Sequence, residues 1–371
     1  MELTTSQKIL LELLIKKTLT RKQLEEILKI SPSTISYSLN KIKKYILTIN
    51  EKEMGLGRPK HSLHLNPEYW YSLGIKVGRE YISATVFNSK FEILEKNSIK
   101  ITKNDMGNEN VSKLIDQILS KVHHKDKIKS IGIAFSGNVN NNVVNSYILK
   151  LENFSLERVI KKHFKDIDFT ALNDVEAIAT EEFVNHEGVR ILVINYGTGI
   201  GACYLNSIDF ASKNHKKILE LGHFYAGGNE TCYCGSIGCL ETLASDYAAL
   251  KKYKFRNLKI TDFIENEEDY ETDLAELRKL YEYSNKKAEI IYQDIFVYLT
   301  AAIINIYKIL TPKKVILTGE GVTPWFSQNL QKKILSITKD PIPIIYRGLE
   351  NNIELGAAIT SLQNHIINNK F

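Results

Sequence analysis

Apolar residues in the first forty-five positions recur at helical spacing and fall into three short segments. Over residues 5–17, Ile9, Leu10, Leu13 and Leu14 line one face after Thr5, which reads as the cap of a first helix. Thr20-x-x-Gln23 reads as a capping box opening a second helix that buries Leu24, Ile27 and Leu28. A short turn leads to Ser31, a cap followed by Pro32 in the first turn of a third helix, where a missing N–H costs nothing. Ile35, Leu39 and Ile42 occupy the inner face of that helix. Ser33, Thr34, Ser36, Tyr37, Asn40, Lys41 and Lys44 occupy the outer one. The period then changes. "ILTINEKEMGLGRPKHSLHLNP" predicts an apolar strand, a glycine-rich tip and a return strand alternating through Leu63 and Leu65.

From residue 70 the pattern is that of strands alternating with helices. "WYSLGIKVG", "YISATVFN" and "FEILEKNSIKI" predict three strands joined by tight turns. A helix near 109–122, the strand "IKSIGIAFSG", the strand "FTALN" and a helix over 174–187 follow. "VRILVINYG" and "GIGACYLN" form a second strand pair, and a long apolar helix at 284–310 feeds the strand "KKVILTG". A three-strand meander followed by βα units, occurring twice, is the pattern of two ribonuclease H-like α/β lobes.

Charge sharpens the reading of the first segment. Residues 1–60 hold twelve basic and six acidic side chains, whereas the rest of the chain holds thirty-seven of each. The whole net charge of +6 therefore belongs to the predicted three-helix segment and its hairpin. Helices two and three form a helix-turn-helix with a polar, basic outer face, and the hairpin is a wing carrying Arg58 between Gly57 and Pro59. An arginine on such a tip suits a narrow minor groove. The expected partner is a double-stranded DNA operator contacted by Ser33, Thr34, Ser36, Tyr37, Asn40, Lys41, Lys44 and Arg58. The bulk composition, 43% hydrophobic and 25% charged, is ordinary. No uninterrupted apolar run approaches about eighteen residues, and the amphipathic N-terminus does not read as a signal peptide, so a cytoplasmic protein without a membrane partner is expected.

Three of the four cysteines lie within "GHFYAGGNETCYCGSIGCLE". His223, Cys232, Cys234 and Cys239 offer one imidazole and three thiolates, a closed set that suits structural Zn²⁺ and leaves no position for a catalytic water. Gly227, Gly228, Gly235 and Gly238 allow the backbone to fold tightly around an ion. Cys203, on a predicted strand, reads as a small core residue.

The same stretch, extended to "ELGHFYAGGNETCYCGSIGCLETLAS", resembles the signature of the ROK family, which joins sugar kinases and sugar-responsive repressors. "GRPKHSLHLNP", "LNDVEAIATEE", "NYGTGIGACY", "ILTPKKVILTGEGVT" and "ELGAAI" resemble further family segments, so the likeness spans nearly the whole chain. It points to the repressor branch, of the xylose and N-acetylglucosamine type. The implied fold is an N-terminal all-α winged helix-turn-helix over 1–65, followed over 66–371 by an actin-like, hexokinase-like sugar-binding domain of two α/β lobes with its zinc loop at 223–239. The resemblance further implies a sugar contacted by Gly137, Asn153, Asn173, Asp174, Glu220, His223 and Glu241. Asp174 matches the carboxylate that takes a proton from the hydroxyl being phosphorylated. His223 would then serve both zinc and sugar.

The chain departs from the kinase pattern where phosphate chemistry is expected. The family's kinases open the first strand pair with Asp and a Gly-Gly-Thr turn; here Lys76 replaces the Asp, and Arg79 and Glu80 replace Gly and Thr. Lysine cannot hold Mg²⁺, and bulky side chains block the backbone approach that phosphate needs. Glu320 stands where a second glycine is common and would repel phosphate. Ser136 before Gly137 replaces a usual proline. A non-enzymatic, sugar-responsive repressor, dimeric or tetrameric on a palindromic operator, is the expected function. The alternatives are an active ATP-dependent sugar kinase with an attached DNA-binding domain and a regulator controlled by a protein partner.

Overall fold

The computed structural model describes residues 3–51, 60–212, 218–280, 286–339, 341–348 and 352–371. The chain divides into two compact units. The first comprises Met1–Gly188, Asn206–Lys216 and Asn352–Phe371; the second comprises Val189–Leu205 and Lys217–Asn351.

The first unit opens with the three helices α1 (Thr5–Lys16), α2 (Arg21–Leu28) and α3 (Pro32–Lys41). Thr4, one residue before the expected cap, closes a capping box with Gln7 on α1, and Thr20 closes the expected one with Gln23 on α2. Ser31 caps α3 through the Thr34 N–H. Ile9, Leu10, Leu13, Leu14, Leu24, Ile35 and Ile42 are buried to within 1% of complete. Ile27 departs from expectation. It is 41% exposed because the eight-residue α2 packs through Leu24, and a residue one turn later overhangs the edge of that small core.

The expected hairpin is β2 (Ile46–Glu51) paired antiparallel with β3 (Lys60–Leu65), and β1 (Leu19–Thr20) adds to its other side, giving the order β1-β3-β2. The winged helix-turn-helix thus contains a three-stranded sheet in addition to its helices. The tip of the hairpin, including Gly57, Arg58 and Pro59, lies outside the described residues.

The lobe that follows is built on a five-stranded sheet. Its strands are β4 (Tyr71–Val77), β5 (Tyr81–Asn88), β6 (Ile93–Lys100), β7 (Ile128–Phe135) and, after a small sheet of β8 (Asn138–Asn140), β9 (Val143–Ser146) and β10 (Leu151–Ser155), β11 (Asp168–Asn173). Helices α4 (Asn108–Ser120), α5 (Glu157–His163) and α6 (Asp174–Asn185) and the C-terminal helix Ile353–Asn368 complete it. The order is β11-β7-β4-β5-β6, with β4, β7 and β11 parallel and β4, β5 and β6 a meander.

The C-terminal helix lies on this sheet with no clearance. A Cβ at Gly74, Gly132 or Gly356 would fall within 1.9 Å of a backbone carbonyl oxygen. For Gly356 that oxygen belongs to Ala177 of α6. Gly356→Ala is expected to destabilise the first unit by at least about 1–3 kcal/mol, because the obstacle is backbone rather than a movable side chain. Thermal unfolding of the variant checks this.

The winged helix-turn-helix is fastened to the far end of the same helix. Gln7, 2% exposed, donates from Nε2 to the carbonyls of Ile366, Ile367 and Asn369 at 3.1, 2.8 and 3.0 Å. The amide of α1 thereby caps carbonyls that the helix end would otherwise leave unpaired. Beside it the Trp70 indole donates to the Tyr45 carbonyl at 2.8 Å, and the rings of Tyr45, Tyr69, Trp70 and Phe371 pack together.

The second unit repeats the sheet. Strands β12 (Ile191–Tyr196), β13 (Ile200–Leu205), β14 (Ile218–Leu219), β15 (Lys314–Thr318) and β16 (Ile344–Tyr346) lie in the order β14-β13-β12-β15-β16, again a meander extended by two parallel strands. Cys203 is buried on β13. The 25-residue helix Lys286–Leu310 is long and apolar enough to cross a membrane. It instead sinks Ile291, Tyr292, Ile295, Phe296, Leu299 and Ile303 into the core of this unit.

Candidate functional site

Three groups of expected site residues can be located. On α3, Ser33, Thr34, Tyr37, Asn40 and Lys41 are exposed and Ser36 is half-buried, with Lys44 exposed just beyond. Tyr37 is 63% exposed, and the Lys41 ammonium sits 4.6 Å from its ring centroid. This face is free to meet a partner because the helix spends Ile35 and Leu39 on its own core.

The second group forms at the carboxyl ends of β7 and β11 in the first unit. Asn173 ends β11 and caps α6, accepting the Val175 N–H at 2.9 Å while its amide donates to the Gly137 carbonyl at 2.8 Å. Gly137 is held close against Asn145 and Ser146, where a Cβ would come within 2.7 Å of the Asn145 carbonyl oxygen. Asp174 accepts the Ser136 hydroxyl at 2.6 Å and the Val175 N–H at 2.8 Å. Desolvation raises its pKa above the usual carboxylate value, against the lowering effect of those two donors and of the Lys76 and Arg79 charges. Asn153 is exposed on β10 with a positive φ of 44°, its N–H bonded to the Asn145 side chain at 2.8 Å. Among the described residues Asn153 makes no hydrogen bond to Asn173 or Asp174.

The third group is in the second unit. His223 ends a short turn after the exposed Glu220, and Cys232, Cys234 and Cys239 follow on a loop closed by the isolated bridges Tyr225–Cys239 and Thr231–Ile237. One donor atom from each of His223, Cys232, Cys234 and Cys239 lies within 4.8 Å of all the others. The Cys232 Sγ to His223 Nδ1 and Cys234 Sγ to Cys239 Sγ distances are both 3.7 Å. A tetrahedron with metal–sulfur arms of about 2.3 Å has edges of about 3.8 Å, so the donor set fits an ion of zinc's size and geometry. Positive φ angles at Gly235 and Gly238, 87° and 76°, permit the turns that bring the thiols together. Burial raises the Cys232 and Cys239 thiols, a cost that a bound cation offsets by favouring thiolate.

With Nδ1 turned to the thiol cluster, the His223 Nε2 faces the Tyr233 hydroxyl at 3.5 Å, and Tyr233 in turn interacts with Glu241. Glu241, 3% exposed, accepts the Ile200 N–H at 2.9 Å, and its carboxylate lies so close to Gly199 and Gly222 that a side chain at Gly222 would meet it at 2.6 Å. Its Oε1 is buried without a hydrogen-bond partner. Tyr233 was not singled out in the sequence, although its position between two cysteines of a ligand set forces it beside them.

The glycine loops of the second unit are engaged internally. The Gly197 carbonyl accepts the Asp246 N–H at 2.9 Å, and Gly321 donates to the Tyr196 carbonyl at 3.0 Å. Arg278, from the helix Glu271–Leu280, donates to Asp246 Oδ2 at 3.0 and 2.7 Å and to Glu320 Oε2 at 3.3 Å. Desolvation raises the pKa of Asp246, and Arg278 opposes that shift. No sequence signal marks Arg278, which lies more than thirty residues from either partner along the chain.

Comparison with known proteins fits this arrangement. The ROK family profile matches residues 72–345, and the profile described as "Bacterial regulatory protein, arsR family" matches residues 6–45. The chain is 26% identical to the xylose repressor of Bacillus spizizenii over 376 residues, covering 94% of this chain and 90% of that protein. The crystal structure of a ROK family transcriptional regulator, a homologue of the E. coli MLC protein, superposes with a TM-score of 0.74 at 19% identity, over 98% of this chain and 96% of that one. A ROK hexokinase from Thermus thermophilus superposes with a TM-score of 0.62 at 21% identity, over 79% of this chain and 98% of the enzyme. These two likenesses are of fold. With a winged helix-turn-helix ahead of two like-ordered α/β units, and with the family profile spanning most of its length, the chain belongs to the ROK family.

Proposed function

We infer that the chain is a sugar-responsive DNA-binding transcriptional repressor, acting in the cytoplasm where its operator lies. One observation carries the reading: a winged helix-turn-helix with an exposed polar recognition face is joined to a ROK domain, an arrangement matched along 94% of the chain by a xylose repressor. The DNA contacts proposed are Ser33, Thr34, Ser36, Tyr37, Asn40, Lys41, Lys44 and Arg58. A homodimer on a two-fold symmetric operator is the simplest assembly for such a motif.

Gly137, Asn153, Asn173 and Asp174 of the first unit are proposed as sugar ligands, and so, separately, are Glu220, His223 and Glu241 of the second. Ionised carboxylates suit sugars because each accepts two hydroxyl hydrogen bonds. Structural Zn²⁺ is the proposed occupant of His223, Cys232, Cys234 and Cys239. It would hold His223 in the tautomer that keeps a proton on Nε2.

Packing contacts within the first unit support a route from ligand to DNA. Asp174 opens α6, α6 packs on the C-terminal helix through Gly356 and through a Thr180–Thr360 hydroxyl bond of 3.1 Å, and that helix ends on Gln7 of α1. No kinase activity is proposed, since Lys76, Arg79 and Glu80 replace the phosphate-approach turn and Glu320 engages Arg278.

Footprinting on DNA upstream of the gene and its neighbours tests the reading. The full chain is expected to protect a palindromic site. Asn40→Ala and Lys44→Ala are expected to weaken binding by about 1–3 kcal/mol each if they contact base edges, and by less, with a reduced salt slope, if they contact phosphate. Absence of any specific site, together with ATP-dependent phosphorylation of a hexose, would replace this reading by that of a kinase.

A further inference from the structure

The amino-terminal end of the first unit's sheet, opposite the carboxyl ends that carry Asn173 and Asp174, is where the chain arrives from the winged helix-turn-helix. Tyr71 opens β4 in register with Ile128, which opens the parallel strand β7. Lys127 and Lys129 therefore flank the point at which Tyr69 and Trp70 lead into the lobe. Rings and ammonium groups run across this seam in an unbroken series. The Lys44 ammonium lies 4.7 Å from the centroid of the Tyr45 ring, the Tyr45 and Tyr69 rings are 4.7 Å apart, and the Lys129 ammonium lies 5.0 Å from the centroid of Tyr69. Lys127 sits over Tyr71 in the same way, at 5.4 Å.

Resting on the DNA-binding reading above, we propose that Lys127 and Lys129 carry the DNA-contacting surface from Lys44 onto the first lobe, where they bind phosphates of the duplex flanking the operator. These lysines differ from others of the same lobe. Lys113 is paired with Glu109 and Lys162 with Asp116, each at 2.7 Å, and Lys161 is paired with Glu157. Among the described residues Lys44, Lys127 and Lys129 make no ion pair. An aromatic face attracts an ammonium group without neutralising it, and it holds a long side chain that would otherwise lose rotamer freedom on binding. Lys44 and Lys127 are exposed and Lys129 is half-buried. The acids of the neighbourhood do not cancel this charge. Glu68 and Asp126 are exposed in the same two segments, but neither comes within ion-pair distance of the three lysines. Asp168, in register with Ser130 on the adjoining strand, is turned to His365 at 2.7 Å and to the Asn369 amide at 3.1 Å. The segment "KVHHKDKIKS" itself holds four lysines against one aspartate. Duplex DNA presents about one phosphate per 1.7 Å of its axis, whatever its sequence, so a row of uncompensated cations continuous with the recognition helix matches its backbone.

Operator affinity of the full chain, measured across a range of salt on DNA with a helical turn of flanking duplex at each end and on DNA trimmed to the palindrome, tests this. Lys127→Gln combined with Lys129→Gln is expected to lower the slope of log affinity against log salt by about two on the longer DNA. On the trimmed DNA the same variant is expected to match the unaltered protein, which also shows that its winged helix-turn-helix is intact. Lys127→Arg combined with Lys129→Arg is expected to keep the full slope, since the charge is retained. Lys113→Gln combined with Lys162→Gln removes equal charge from α4 and α5 of the same lobe and is expected to leave the slope unchanged. An unchanged slope in the Lys127 and Lys129 variant, or an equal fall in the Lys113 and Lys162 variant, overturns the proposal and leaves the DNA-binding reading standing. Absence of any specific site for the unaltered chain overturns both.

Discussion

Cys239→Ser is expected to strip the purified protein of zinc and to unfold the loop around it. The unaltered chain should carry about one equivalent of zinc, since its donor set is complete and its Sγ–Sγ edge already has tetrahedral length. Removing one ligand leaves Cys232 buried beside His223 with no cation to stabilise a thiolate. Structural zinc sites in small peptides contribute about 10–16 kcal/mol of apparent binding free energy at neutral pH, so the loss should exceed that of an ordinary core substitution. The damage should reach the proposed sugar ligands as well, because His223, Tyr233 and Glu241 follow one another from the thiol cluster. Cys203→Ser is the control: Cys203 lies outside the cluster and should retain the metal. Metal analysis and thermal unfolding of both variants decide the matter. Zinc retained by Cys239→Ser, or absent from the unaltered protein, would contradict the assignment.

Asp174→Asn should abolish sugar responsiveness while leaving a folded protein. The amide preserves size and the place at the start of α6, its oxygen still accepting the Val175 N–H while its NH2 donates to the Ser136 hydroxyl, and it removes the ionised acceptor. Hydrogen bonds to charged groups contribute about 1.5–3 kcal/mol, so sugar affinity should fall by about ten- to a hundredfold. The pH dependence follows from the raised pKa of Asp174. Only the carboxylate can accept from two hydroxyls, so affinity should be full above the raised pKa and decline as pH falls through it. That decline should begin at higher pH than an ordinary aspartate would give, and Asp174→Asn should lack this component. Affinities measured across the acidic range for both proteins check the sign. Unchanged affinity in Asp174→Asn would remove Asp174 from the site.

Much of this was legible because several motifs are local. Thr20 with Gln23, and Ser31 ahead of Pro32, announce helix starts that depend on neighbours three residues away. The His223 and cysteine set is compact in sequence, so its convergence needed only a tight loop. Two repeats of one meander could be read from strand periodicity. What remained hidden depends on distant packing. Ile27 fits a helical stripe but overhangs the small core that Leu24 fills. Glu241 is buried because Gly199 and Gly222, which follow distant strands and turns, make room for it. Arg278 meets Asp246 and Glu320 from a helix whose own sequence is an ordinary charged surface pattern. The Gln7 contact with the carbonyls near Ile367 spans the length of the chain, and no local pattern could announce it.

The decisive measurement is the affinity of the full chain for its operator at fixed salt, titrated with neutral and phosphorylated pentoses, hexoses and N-acetyl amino sugars. A sugar that binds the two DNA-affinity states about 100-fold differently changes operator affinity by about 2.7 kcal/mol. One sugar is expected to weaken operator binding by tenfold or more, and Asp174→Asn is expected not to respond. Tight operator binding indifferent to every sugar would contradict the sugar-responsive reading.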